Sequence, residues 1–310
     1  MGFTAQPISS DVHAIRGDMP KIHLELGERW SVERLEEVLA RSSALRDPAR
    51  RLRFIAEQFL AEHTPFEEES SLPAPADGAV RVRLESFDCI TFIYHLVALS
   101  GASNLEEAAR ALAAIRYHGR PSNERLIRYA WSSVLKMVEY GLMRDVTSRV
   151  LDPARLAVRT VQLGVRGDGR PFLDVPGPGD PLLGETVSVP FIPTALIREV
   201  EAKLRDADVL LLVSSKDPAE YPGIVAHAVL VHRKPGDPEI YVLHSGKSPF
   251  GRSGGPPGGV RLLTYWDQEM GALRDDDRHR PFHLYLEGSP HLWQGVVVLR
   301  PSDPPARAAR

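Results

Sequence analysis

Segment 89–99, CITFIYHLVAL, constrains the fold more than any other stretch of the chain. Wound into a helix, its Ile90, Phe92, Ile93, Leu96, Val97 and Leu99 cover most of the circumference. A helix apolar on nearly every side must be enclosed by the rest of the molecule. The local signals agree with a helix there. Val80, Val82 and Leu84 alternate with Arg81 and Arg83 as a short half-buried strand. Ser86 or Asp88 can then cap the helix start, and Gly101 ends the helix.

Other elements can be placed around this one. Ser31 caps a helix with Val32, Leu35, Val38 and Leu39 on one face, and Asp47-Pro48 opens a second over 48–62. Helices are expected at 105–115 and 123–140, the latter carrying Trp131, and a short one at 193–204. The chain then turns to strands at 209–214, 224–232, 239–245, 260–263 and 295–300. Glycines and prolines crowd 145–195, which reads as an irregular excursion. The acidic, proline-rich 64–79 and the glycine-rich 251–259 read as loops, and 302–310 as a disordered tail. Helices first and strands later indicate α+β, with 1–79 as an N-terminal helical extension and 80–301 as the main domain.

Composition narrows the function. The 310 residues carry a net charge of −3, so nothing calls for nucleic acid. No run approaches the roughly eighteen apolar residues of a membrane span, and residues 1–20 lack a signal-peptide pattern. A cytoplasmic location is therefore expected, with periplasmic action after non-classical delivery left open. The oligomeric state is not legible. One cysteine, Cys89, rules out an intrachain disulfide and a multi-thiolate metal site. There is no HExxH, and neither metal nor cofactor is expected.

Cys89 is therefore either a buried apolar residue or a reactive thiol. At a helix start, unpaired backbone N–H groups favour a thiolate, so a pKa below the roughly 8.5 of a free cysteine is expected. The same groups can hold an oxyanion. A thiol nucleophile needs a base. The stretch IVAHAVLVHRKPGDPEIYVLHS reads as a hairpin. Symmetry about its Pro235–Gly236 step sets His227 directly opposite His244 on one face, with Cβ atoms about 5 Å apart. One ring then acts on the thiol while the other fixes its tautomer. His95 faces away along the helix. His118, His232, His283 and His291 read as edge or loop residues in solvent.

These residues resemble a known family. Asp88-Cys89 opening a helix that continues Thr91-Phe92 is similar to the nucleophile helix of the NlpC/P60 papain-like superfamily. More closely, it resembles the DUF1460, N-acetylmuramoyl-L-alanine amidase-like branch. A second block matches at Tyr117, Ser122, Arg125, Tyr129, Trp131, Gly141, Asp145 and Thr147. A third matches at His227 and Leu243-His244-Ser245, and a fourth at Gly295, Val298, Arg300 and Pro301.

The resemblance implies a papain-like fold, with an antiparallel sheet packed on a nucleophile-bearing helix. It also implies hydrolysis of the amide between N-acetylmuramic acid and L-alanine in peptidoglycan fragments, with Cys89 as nucleophile, His227 as base and His244 orienting it. Asp88, Arg125, Tyr129, Trp131 and Ser245 are the candidate substrate contacts, Arg125 and Tyr129 sharing a helix face. Two alternatives remain at this stage: an acyltransferase passing the acyl group to an amine, and a non-catalytic module that grips cell-wall fragments.

Overall fold

A computed structural model describes residues 21–67, 78–117, 119, 126–173, 180–233, 236, 240–246, 259–263 and 292–302. Arg125, His118, His283, His291, most of the two expected loops and all but the start of the expected tail lie outside these residues.

The chain begins with β1 (Ile22–Glu25), then α1 (Val32–Ser43) and α2 (Pro48–Ala61). Both helices start as the sequence predicts: Ser31 accepts from the N–H of Arg34, and Asp47 from that of Ala49. β2 (Val80–Arg83) pairs in parallel with β1. It leads into α3 (Cys89–Ser100), followed by α4 (Leu105–Tyr117) and α5 (Ala130–Glu139). β3 (Met143–Asp145), α6 (Thr147–Val150), β4 (Ala157–Gln162), β5 (Thr186–Pro193) and α7 (Ile197–Val200) come next. The chain closes with β6 (Val209–Ser214), β7 (Val225–His232), β8 (Tyr241–Gly246), β9 (Gly259–Leu263) and β10 (Trp293–Pro301).

The architecture is a mixed one, an antiparallel sheet with helices. Along the sheet the order is β4-β5-β10-β6-β7-β8-β9, with β3 added beside β10. The expectation that 145–195 is irregular is corrected here. β4 and β5 pair over six residues and extend the sheet beyond β10, because Val161, Val189 and Phe191 supply buried side chains between the glycine-rich turns.

The sheet is covered on both faces, which explains why β6 reads as an uninterrupted apolar run instead of alternating. Its Val209, Leu211 and Val213 join the large core made with α1 to α5. Its Leu210 and Leu212 join a second core with Val150 of α6 and Ile197 and Val200 of α7. The N-terminal helices belong to the same large core as α3, through Leu35, Leu39, Leu52, Ile55 and Phe59. Among the described residues, no helix is long and apolar enough to cross a membrane.

The expected helix over 123–140 is shorter. Residues 126–128 are not helical, and Tyr129 is the extended N-cap of α5, with φ −90° and ψ 128°. The backbone N–H groups there do not bond along a helix of their own: Ile127 donates to Arg116 O of α4 at 2.7 Å, and Tyr129 donates to Asp180 Oδ2 at 3.2 Å.

Candidate active site

The start of α3 is fixed from several directions. Asp88 is its N-cap, and Oδ1 accepts from the N–H groups of Ile90 and Thr91 at 3.0 and 2.7 Å and from Thr91 Oγ1 at 2.9 Å. Thr91 Oγ1 also accepts from the Asp88 N–H at 3.0 Å, closing a capping box. One residue earlier, the Phe87 carbonyl accepts from Ser245 Oγ of β8 at 2.7 Å and from the Glu67 N–H at 3.1 Å. The Phe87 ring packs on Phe59, Phe92 and His95. Asp88 and Ser245, expected to touch substrate, are instead buried scaffold residues that hold Cys89 at its position.

Cys89 keeps part of its surface in solvent. Its thiol is nevertheless desolvated, and burial pushes it up to about 12, with the Asp88 carboxylate adding to the rise. The N–H groups of Ala228, Cys89 and Ile90 face the sulfur and act in the opposite direction. The expected lowering at the helix start is therefore corrected: burial and a neighbouring carboxylate outweigh the N–H groups. Alkylation of Cys89 by iodoacetamide is expected to accelerate without a plateau from about pH 7 to about pH 10, because only the thiolate reacts. Asp88→Asn, which retains the cap oxygen and removes the charge, is expected to raise the neutral-pH rate. A plateau near neutrality in the parent protein would show a preformed thiolate instead.

The contact with Ala228 brings the sulfur to β7 at the residue after His227. His227 Nε2 and His244 Nδ1 are 2.8 Å apart, with the rings edge to face at 5.0 Å and 87°. The pair exists, but not by the expected register. His232 lies opposite Tyr241, and Leu230 opposite Leu243, so His244 falls opposite Val229 and diagonal to His227. The turn is centred one residue later than symmetry about Pro235–Gly236 requires, with Gly236 at φ +79°. Diagonal neighbours on one face remain within reach of ring side chains. On the other side of β7 the pairing with β6 slips between Leu212↔His227 and Val213↔Val225, leaving Ala226 as a bulge. A bulge of this kind re-aims the side chain beside it.

Two aromatic residues at this site carry no motif signal. Trp293, at the start of β10, stacks on His227 at 5.9 Å and 29°. Tyr221 precedes β7 and donates to Val225 O at 2.8 Å. Burial pushes its phenol up to about 12, and the neighbouring Cys89 adds to the shift.

The remaining candidates lie elsewhere or serve the scaffold. Trp131 is buried in the large core. Tyr129 is buried, and its hydroxyl donates to Gly164 O at 3.4 Å. Residues 126–128 are non-helical and Tyr129 is the extended N-cap of α5, while Arg125, expected to share a helix face with it, lies outside the described residues. His95 is fully buried: Nδ1 donates to Thr91 O at 2.8 Å, and Nε2 accepts from the Arg83 N–H at 3.2 Å. His232, expected in solvent, is buried because the pairing of β7 with β8 extends through it. Among the described residues, no group of three His, Cys, Asp or Glu side chains is placed to hold a metal ion.

A buried helix carrying the only cysteine at its start, set against a sheet that presents two bonded imidazoles, defines the class to which the chain should be compared. The family model for AmiA-like, N-acetylmuramoyl-L-alanine amidase-like proteins matches residues 55–247, and the chain belongs to that family.

Three solved structures share its fold. A DUF1460 protein from Legionella pneumophila aligns with a TM-score of 0.63 at 15% identity, covering 87% of this chain and 94% of its own. An N-acetylmuramoyl-L-alanine amidase from Bacteroides uniformis aligns at 0.55 and 16% identity, covering 86% and 99%. A protein from Bacteroides fragilis described as a putative xylanase aligns at 0.55 and 17%, covering 79% and 98%. No curated protein matches the chain by sequence.

Proposed function

We propose that this protein is a cysteine-dependent amidase that hydrolyses the bond between N-acetylmuramic acid and L-alanine in peptidoglycan fragments, with Cys89 as nucleophile, His227 as base and His244 as the residue that orients the base. The observation that carries this reading is the 2.8 Å contact between His227 Nε2 and His244 Nδ1 on the strand whose Ala228 N–H faces the Cys89 sulfur. Membership of the amidase-like family supports the bond class.

The contact with His244 engages Nε2 of His227, so Nδ1 is the atom that serves the thiol. The raised thiol pKa means that Cys89 rests protonated. His227 takes the proton as the sulfur attacks the amide carbonyl, instead of holding a preformed ion pair. The oxyanion forms close to the Cys89 and Ala228 N–H groups, which already face the sulfur. The imidazolium then gives its proton to the alanine nitrogen, the peptide leaves, and a thioester remains on Cys89. Water, deprotonated by His227, attacks the thioester. The muramic carboxylate departs and the thiol is restored. Trp293, with its face on the His227 ring, offers π density to the imidazolium that forms in between.

Incubation with defined muropeptides tests the reading by mass spectrometry. The expected products are a sugar acid and a peptide with a free L-alanine amine, together heavier than the substrate by one water. Intact muropeptides, or an equal yield of an amine adduct when amines are added, would overturn simple hydrolysis.

A further inference from the structure

Two loops that no sequence motif marked form one rigid platform beside Cys89. The turn after β4 docks on the segment before β7 through Gly164 N–H to Pro222 O at 2.9 Å and Gly167 N–H to Ala219 O at 3.0 Å. The approach is close enough that a Cβ at Gly167 would stand 2.8 Å from that of Ala219. The buried Arg159 guanidinium clamps the second loop from beneath. It donates to the carbonyls of Gly223, Lys216 and Tyr221, each at 3.0 Å.

On this platform Tyr221, the aromatic neighbour of the thiol, meets Phe172 edge to face at 5.2 Å. Each ring carries a cation over its face: Lys216 Nζ is 5.9 Å from the Tyr221 centroid, and Arg166 Cζ is 5.2 Å from that of Phe172. Both cations are exposed, and among the described residues neither makes a salt bridge or donates a side-chain hydrogen bond. Two of the acidic neighbours are engaged within their own turns, and a third, Glu220, is exposed. Asp168 Oδ1 accepts from the Arg170 N–H at 3.0 Å, and its other oxygen pairs with Arg170. Asp217 Oδ1 accepts from the Ala219 N–H at 2.7 Å. Elsewhere on the described molecule surface cations have an acidic partner, such as Arg155 with Glu199 and Arg34 with Glu62.

We propose that Arg166 and Lys216, held over Phe172 and Tyr221, form a carboxylate-binding subsite for the peptide side of the substrate. The assignment rests on the amidase reading for which side of the bond it names. Once its carboxyl is tied up in the amide, the muramoyl side carries hydroxyls and an acetamide but no charge. The peptide side keeps at least its terminal carboxylate. Two cations held on a platform whose Tyr221 feels the charge of the nucleophile therefore complement the leaving peptide, not the sugar. Resting on aromatic faces, they lose little further side-chain freedom when an anion binds.

Calorimetry on the full-length Cys89→Ala protein separates this subsite from the chemistry. The probes are N-acetylmuramoyl-L-alanyl-D-glutamate and its diamide. The diacid is expected to bind about tenfold more tightly at low salt, as two exposed charge pairs allow. The preference should fade at high salt. It should vanish in the additional double variant Arg166→Gln/Lys216→Gln, with diamide binding unchanged.

Equal binding of the two probes, a preference that survives in the double variant, or no binding of either would overturn the proposal. If the preference holds but wild-type protein releases no peptide, the subsite stands and the amidase reading fails.

Discussion

Replacing Cys89 with alanine is expected to lower muropeptide hydrolysis by about three orders of magnitude or more, since removal of a covalent nucleophile leaves only binding and oxyanion stabilisation. His227→Ala should lose a comparable amount, because the desolvated thiol is too weak an acid to ionise unaided at neutral pH. His244→Ala should fall between these variants and wild type. It leaves the base in place but frees its ring to rotate out of the perpendicular arrangement seen beside Trp293. Fold should survive the cysteine change. The cap contacts that fix the start of α3 involve Asp88 and Thr91, not the sulfur. Circular dichroism and denaturation midpoints close to wild type, together with lost turnover, are the expected combination. Full turnover in either Cys89→Ala or His227→Ala removes the mechanism.

The imidazole pair shows how far the sequence could be read. Two histidines on one face of a hairpin were visible, because face alternates with a period of two whatever the register. The register itself was not visible. It depends on where the turn adopts a positive φ, and Gly236 puts that centre one residue beyond the symmetric choice. Contact survived the error only because His227 and His244 are diagonal neighbours.

The thiol pKa went the other way. A helix start is local and legible, whereas desolvation and the facing Asp88 charge come from packing. Several residues of the matching motif blocks belong to joints. Asp145 Oδ1 accepts from the Thr147 N–H at 2.8 Å, and Thr147 Oγ1 accepts from the Val298 N–H at 3.0 Å, tying β3 and α6 to β10. Arg300 forms a two-pronged pair with the buried Asp208, both contacts at 2.7 Å. A motif records that a residue is needed, not whether it touches substrate or holds up what does. Tyr221 meets Phe172, and Trp293 meets His227, only through tertiary packing, so no local pattern announced them.

Gly295→Ala tests the largest of these joints. Gly295 lies between two neighbours in the sheet, opposite Pro193 of β5 and Val213 of β6. A Cβ there would run into the carbonyl oxygen of Ile192 and the ring of Phe191, well inside contact distance. The first is backbone within the sheet and the second is a buried ring, so neither can step aside cheaply. The substitution is expected to cost about 3 kcal/mol or more, read as a lowered urea midpoint at an unchanged slope. Gly169→Ala is the matched control. Gly169 has φ +82° and nothing within 4 Å of its added methyl, so only the backbone preference of about 1 kcal/mol is lost.

The effect of Gly295→Ala should extend to turnover. Trp293 sits two residues upstream, where β10 slips its register against β6, and its ring lies on His227. Displacing β10 away from β5 moves that ring relative to the imidazole it stacks on. The folded fraction of Gly295→Ala should therefore hydrolyse more slowly per molecule. Equal midpoints for the two variants would mean that the sheet yields at β10. The close approach at Gly295 would then not be what positions Trp293.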